Sequence, residues 1–132
     1  MLDIYVDGSY KKDISKKAGW AFIVVEDDKL IHQEYGLTEH DAKSWNIDGE
    51  LEAALRAIKW ANGRKIRLFH DYNGVEYFSI CKWKAKSKAA RHYQKSVLSI
   101  GGIPNVDFIK VKSHSGNHWN DVVDNLASVE VV

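Results

Sequence analysis

Apolar and polar positions alternate from the first residues onward. Leu2, Ile4 and Val6 interleave with Asp3, Tyr5 and Asp7, the two-residue period of a strand that ends in a turn at Gly8-Ser9. A polar, lysine-rich link leads to a second strand over Gly19 to Val25, and Asp27-Asp28 turns tightly into a third over Leu30 to Tyr35. Connections this short predict an antiparallel meander. The period then changes. Ile47, Leu51, Ala54, Leu55 and Ile58 recur at helical spacing, with Gly63 as a stop. Ile66 to His70 reads as a fourth strand, and Gly74 to Ile100 as a helical stretch broken near Lys82 to Lys88. Gly101-Gly102 and Pro104 mark a loop before a fifth strand, Val106 to Val111, and a last helix, Trp119 to Val129.

The order β-β-β-α-β-α-β-α predicts an α/β fold with one mixed five-stranded sheet flanked by helices. Helical crossovers make strands four and five parallel to strand one, so the expected strand order is 3-2-1-4-5. The order reverses between strands one and four, and sites in open α/β sheets form at such a point, at the carboxyl ends of the strands.

Composition narrows the class. A chain of 132 residues with 45% hydrophobic content and five tryptophans supports a packed core in a single domain over 1–132. A net charge of +1 means that any pull on nucleic acid comes from a local patch. The single cysteine, Cys81, excludes an intramolecular disulfide and suits a reducing, cytoplasmic setting. The start carries no signal peptide, and the longest apolar run, Trp20 to Val25, is too short to span a bilayer, so no membrane partner is expected.

Topology brings four acids to one rim. Asp7 ends strand one, and Asp71 lies just beyond its neighbour, strand four. Glu50 is in the first turn of a helix that starts at the same edge, and Asp124 is one to two turns into the last helix. Glu50 shares a helical stripe with Ala54, Ala57 and Ala61, whereas Glu52 shares a solvated one with Arg56 and Lys59. Asp48 reads as a helix-start residue. Glu50 is therefore the inward acid. Asp121 and Asp124 both flank the buried stripe of the last helix, and the helical wheel favours Asp124. Carboxylate oxygens are the ligands that Mg²⁺ prefers, so the cluster points to metal-dependent phosphodiester hydrolysis.

Asp7-Gly8-Ser9, Glu50 in GELEAAL, Asp71 after an apolar strand, and SHSGNHWNDVVDNLA resemble, in this order and over essentially the whole chain, type 1 ribonuclease H. The resemblance implies the ribonuclease H-like fold and endonucleolytic hydrolysis of the RNA strand of an RNA–DNA hybrid, leaving 5′-phosphate and 3′-hydroxyl ends. It implies two Mg²⁺ ions, or Mn²⁺ in their place, held by Asp7, Glu50, Asp71 and Asp124. His114 matches a flexible-loop histidine for proton handling or product release, and Asn120 matches a residue that supports the site. Asn46 and Asn73 match positions that meet RNA 2′-hydroxyls, and Gly8 and Ser9 join the substrate-contact set. Trp83-Lys84-Ala85-Lys86 resembles the compact bacterial branch found as the catalytic portion of proteins with a separate hybrid-binding domain. The run Lys82 to Lys95 has six basic residues and no acid, and its interleaved Trp83 and Tyr93 suggest contact with the DNA strand. Trp20, Trp45 and Trp60 are expected in core or rim packing. A monomer is expected. The rival readings are a catalytically silent hybrid-binding module and a DNA transposase- or integrase-like nuclease of the same fold.

Overall fold

The second strand is buried at every position but its last, which marks it and its neighbour as the interior of a sheet covered on both faces. A computed structural model describes residues 1–11, 16–101, 103–112 and 117–131. Its strands are β1 (Leu2–Ser9), β2 (Gly19–Glu26), β3 (Lys29–Leu37), β4 (Ile66–His70) and β5 (Val106–Lys110). Its helices are α1 (Asn46–Ala61), α2 (Gly74–Ser79), α3 (Lys88–Ile100) and α4 (His118–Ala127), with a 3₁₀ turn at Ile103–Asn105. The sheet order is β3-β2-β1-β4-β5, antiparallel through β3, β2 and β1 and parallel through β1, β4 and β5. This is the topology that the sequence predicts.

Each face of the sheet has its own core. Helices α1 and α3 lie over Ile4, Val6, Phe22, Val24 and Leu68, all at most 1% exposed. Helix α4 covers Tyr5, Ala21, Ile23 and Val25 with Val123 and Ala127. Full burial of side chains such as Phe22 and Ile23 contributes roughly 1.5–3 kcal/mol each.

Local chemistry explains the joints. Asp27 and Asp28 both have positive φ, 51° and 60°, the two-residue turn whose twist matches a hairpin. Helix α1 stops at the left-handed Asn62, which donates its N–H to the Ile58 carbonyl, and Gly63 follows with φ of 85°. The Ser87 hydroxyl caps α3 by accepting from the Ala90 N–H.

Two expectations need correction, and a third holds. Strand β1 does not end at Asp7 but runs on to Ser9, so Gly8 and Ser9 pair with Trp20 and Gly19 rather than forming a turn. The helical stretch from Gly74 to Ile100 is broken where expected, into helices of six and thirteen residues on either side of the lysine-rich segment. Tyr93 faces inward at 1% exposure, its hydroxyl donating to the Val75 carbonyl at 2.6 Å and meeting Ser79 Oγ at 2.8 Å. Its apolar ring lies on the stripe of α3 shared by Ala90 and Val97, and that stripe, not the neighbouring charges, decides its place.

Candidate active site

Strands β1 and β4 pair in parallel from Leu2↔Ile66 to Tyr5↔Phe69 and then part. The last residues of β1 remain paired to β2 alone on this side of the reversal, which opens a crevice at the carboxyl end of the sheet. Asp7 lies in that stretch, 7% exposed, and Asp71 follows the last residue of β4. A ring nitrogen of His70, Nδ1, bonds the Tyr72 carbonyl at 3.0 Å, which bridges the peptide units on either side of Asp71.

Glu50 arrives by close backbone packing. A β-carbon on Gly8 would stand 2.3 Å from both the Asn46 carbonyl oxygen and the Glu50 nitrogen. One on Gly49 would stand 2.0 Å from the Gly19 carbonyl oxygen, and one on Gly19 would meet the Ala127 carbonyl oxygen at 2.0 Å. The first turn of α1 therefore rests on β1 and β2 with no side chain between, and α4 presses on β2 in the same manner. This places Glu50, 2% exposed, beside Asp7. Sequence reasoning did not single out Gly49 or Gly19. The signal was available: a glycine inside a helix costs about 1 kcal/mol against alanine, and its presence marks a close approach.

Asp7, Glu50 and Asp71 offer carboxylate oxygens that all lie within 4.8 Å of one another. Two like charges at such a separation repel by roughly 3–4 kcal/mol at an effective dielectric constant of 20. Burial pushes the Asp7 carboxyl up to about 8, and the Asp124 carboxyl hydrogen-bonded to it adds to the rise. Glu50 is held well above the ordinary carboxylate range by burial and then by the charges of Asp71 and Asp7. Glu50 Oε1 also accepts from the Asp71 N–H at 3.3 Å, and Asp7 Oδ1 from the Gly8 N–H at 2.9 Å. In the protein alone, burial and mutual repulsion favour the protonated carboxyls. A divalent cation with a preference for oxygen would replace the protons, so the donor set fits such an ion.

Asp124 joins the cluster through Asp7 and is half-buried, while Asp121 is exposed. Asn120, one turn earlier, is buried at 7%, and its N–H donates to the Asn117 side chain that caps α4. Ser9 Oγ bonds Ser128 Oγ at 2.9 Å, and Ser128 Oγ donates to the Asp124 carbonyl, so Ser9 ties β1 to the helix carrying Asp124. Gly8 is buried beneath α1 rather than open to a substrate. Asn46 and Asn73 are both exposed, at the start of α1 and just before α2. Lys84 and Lys86 are exposed, and Trp83, 37% exposed, stands edge-on to Tyr72, Tyr77 and Phe78. His114 lies outside the described residues. Glu52 pairs with Arg56 at 3.3 Å, as the i,i+4 spacing predicts. No helix among the described residues is long and apolar enough to cross a membrane.

A model of the RNase H family matches residues 1–131. Among curated proteins, a ribonuclease H of Neorickettsia sennetsu is 27% identical over 143 aligned positions, covering 96% of this chain and 90% of that protein. The structure of LC11-RNase H1 in complex with RNA/DNA hybrid superposes with a TM-score of 0.79 at 16% identity, covering 99% of this chain and 96% of that one. RNase H1 from the halophilic archaeon Halobacterium salinarum gives a TM-score of 0.76 at 20% identity, with 96% and 94% coverage. The architecture is thus shared at sequence distances where only fold is retained, and the family match runs across every element that brings an acid to the crevice. This chain belongs to the ribonuclease H family, whose members are metal-dependent hydrolases.

Proposed function

We propose that the protein cuts the RNA strand of RNA–DNA hybrids endonucleolytically, leaving 5′-phosphate and 3′-hydroxyl ends. The observation that carries this reading is the meeting of Asp7, Glu50 and Asp71, from three different elements, within 4.8 Å at the point where β1 and β4 part. The LC11 relative, solved with an RNA/DNA hybrid, supports the substrate class. Two Mg²⁺ ions, with Mn²⁺ as a substitute, suit the oxygen donors, and Asp7, Glu50, Asp71 and Asp124 would hold them. Bound there, the pair supplies positive charge to the attacking and leaving oxygens of an in-line displacement.

The chain's own groups supply position and selectivity. Exposed Asn46 and Asn73 flank the acids in sequence, and each offers a donor and an acceptor to a 2′-hydroxyl. Lys84 and Lys86 face solvent beside Trp83, where they can meet phosphates of the DNA strand. Asn120 supports Asp124 from one turn away, and His114 handles a proton or product release. The protein acts as a cytoplasmic monomer in this reading. A binding module without chemistry has no use for acids that repel one another this strongly.

Cleavage of matched hybrid, double-stranded RNA and double-stranded DNA, with and without Mg²⁺, tests the proposal. Hybrid alone should be cut, only with metal, and Asp7→Asn should be slower by at least about a thousandfold. Equal cleavage of all three duplexes, or near wild-type turnover by Asp7→Asn, would refute it.

A further inference from the structure

Asp7, Glu50 and Asp124 each stand on a regular strand or helix, whereas Asp71 lies between β4 and α2. No ladder or helical turn sets its backbone, yet its carboxylate keeps within 4.8 Å of those of Asp7 and Glu50. Something local has to hold it.

The peptide unit before Asp71 is gripped at both ends. Its carbonyl, that of His70, accepts from the Val111 N–H at 2.7 Å, and its N–H donates to Glu50 Oε1 at 3.3 Å. The peptide unit after Tyr72 is gripped as well. There the Tyr72 carbonyl accepts from the Val75 N–H at 3.1 Å and from His70 Nδ1 at 3.0 Å. Only the backbone torsions of Asp71 and Tyr72 lie between these two units, and the imidazole spans them.

A carbonyl can only accept, so Nδ1 carries the hydrogen. The ring is 1% exposed and stands edge-on to Phe108, with centroids 6.1 Å apart. Its other nitrogen, Nε2, is buried with no hydrogen-bond partner among the described residues. A leucine would fill such a place without the cost of an unpaired buried nitrogen. Packing alone does not account for a histidine here.

We propose that His70 is a positioning residue for metal binding: its Nδ1–H holds the Tyr72 carbonyl and so sets the backbone that carries the Asp71 carboxylate. This rests on the reading of Asp7, Glu50, Asp71 and Asp124 as metal ligands. Groups that orient ligands from behind commonly account for about ten- to a hundredfold of a site's metal affinity.

Two variants separate positioning from packing, because the two roles rank them in opposite order. His70→Leu keeps the bulk and loses the donor. His70→Asn keeps a donor nitrogen bonded to Cγ, as Nδ1 is, and loses bulk. Without metal, His70→Leu should melt within about 4 °C of wild type, and His70→Asn lower by roughly 4–8 °C. For Mg²⁺ the order should reverse. Calorimetric titration of the protein with Mg²⁺ should find His70→Leu weaker by about tenfold and His70→Asn within about threefold of wild type. The Mg²⁺ concentration that half-saturates hybrid cleavage should move by the same factors, with KM for hybrid at saturating Mg²⁺ nearly unchanged. Unchanged Mg²⁺ affinity in His70→Leu overturns the proposal. So does an affinity that follows the melting temperatures, with His70→Asn the weaker binder, which would assign the imidazole to the fold. If His70→Leu does not fold, His70→Asn decides: near wild-type Mg²⁺ affinity despite lower stability supports the role, and a tenfold loss overturns it. A wild type that takes up no Mg²⁺ overturns the reading of the acids as ligands, and this role with it, before any variant is made.

Discussion

The carboxylate cluster should make the metal-free protein less stable as pH rises, the reverse of ordinary carboxylate behaviour. Asp7 titrates at about 8 in the folded chain, pushed up by burial and by Asp124, against an ordinary value of 3.8. The folded state therefore binds more protons than the unfolded state throughout that interval, and stability falls as pH climbs through it. Each tenfold difference in proton affinity is worth about 1.36 kcal/mol, which sets an upper bound of about 6 kcal/mol for this one group at pH above 8. Water entry and movement of Asp71 relieve part of it. A loss of about 3 kcal/mol corresponds to a fall of roughly 10 °C in melting temperature for a domain of this size. Calorimetric or circular-dichroism melts in EDTA from pH 5 to pH 9 read this directly. The fall should be smaller in Asp7→Asn, which keeps the shape and removes one charge while buried Glu50 keeps its own share, and millimolar-range Mg²⁺ should restore the wild type at high pH. A wild-type melting temperature that is flat or rising over this range, with Asp7→Asn indistinguishable from it, would mean that the acids do not share one desolvated site.

Other outcomes follow from the packing and the rim. Gly49→Ala should destabilise the fold by at least about 1–3 kcal/mol and reduce metal affinity, because the added methyl meets the Gly19 carbonyl and lifts the turn bearing Glu50; thermal melts and Mg²⁺ titration of activity check both effects. Replacing Lys84, Lys86 and Lys88 together with Ala should weaken hybrid binding and lower the log–log salt slope by roughly 0.7–0.9 for each phosphate that is no longer neutralised. Binding isotherms at several salt concentrations decide this, and an unaltered slope leaves those lysines as solvated surface. Asn46→Ala and Asn73→Ala should each slow hybrid cleavage about two- to tenfold. Single 2′-deoxy substitutions near the cut should then hurt these variants less than they hurt wild type, and identical sensitivity would place sugar discrimination elsewhere.

What was legible in the chain is what short-range periodicity and topology control. Ile66 to His70 is an apolar-rich run bounded by the polar Lys65 and Asp71, so β4 has the predicted limits, and the meander with its crossovers sets the sheet order. Glu50 could be told from Glu52 because a helix turns by a fixed angle per residue. Their neighbours, alanines for one and Arg56 for the other, report which side is covered. The order of the acids along elements that all end at one edge then brings Asp7, Glu50 and Asp71 together without any knowledge of distances.

The tertiary structure decided what depends on contacts between distant segments. Gly8, Gly19 and Gly49 have meaning only in relation to one another, since each leaves room for a backbone contributed from elsewhere in the chain. Continuation of β1 through Gly8 and Ser9 follows from pairing with Trp20 and Gly19, which lends order that a Gly-Ser pair lacks locally. The inward turn of Tyr93 depends on carbonyl and hydroxyl partners on α2, which lies on the other side of the break in the helical stretch. The raised proton affinity of Asp7 and Glu50 is likewise a property of no single position. It arises because three elements exclude water from the same few ångströms, and desolvation by neighbours far away in the chain leaves no local pattern in a sequence.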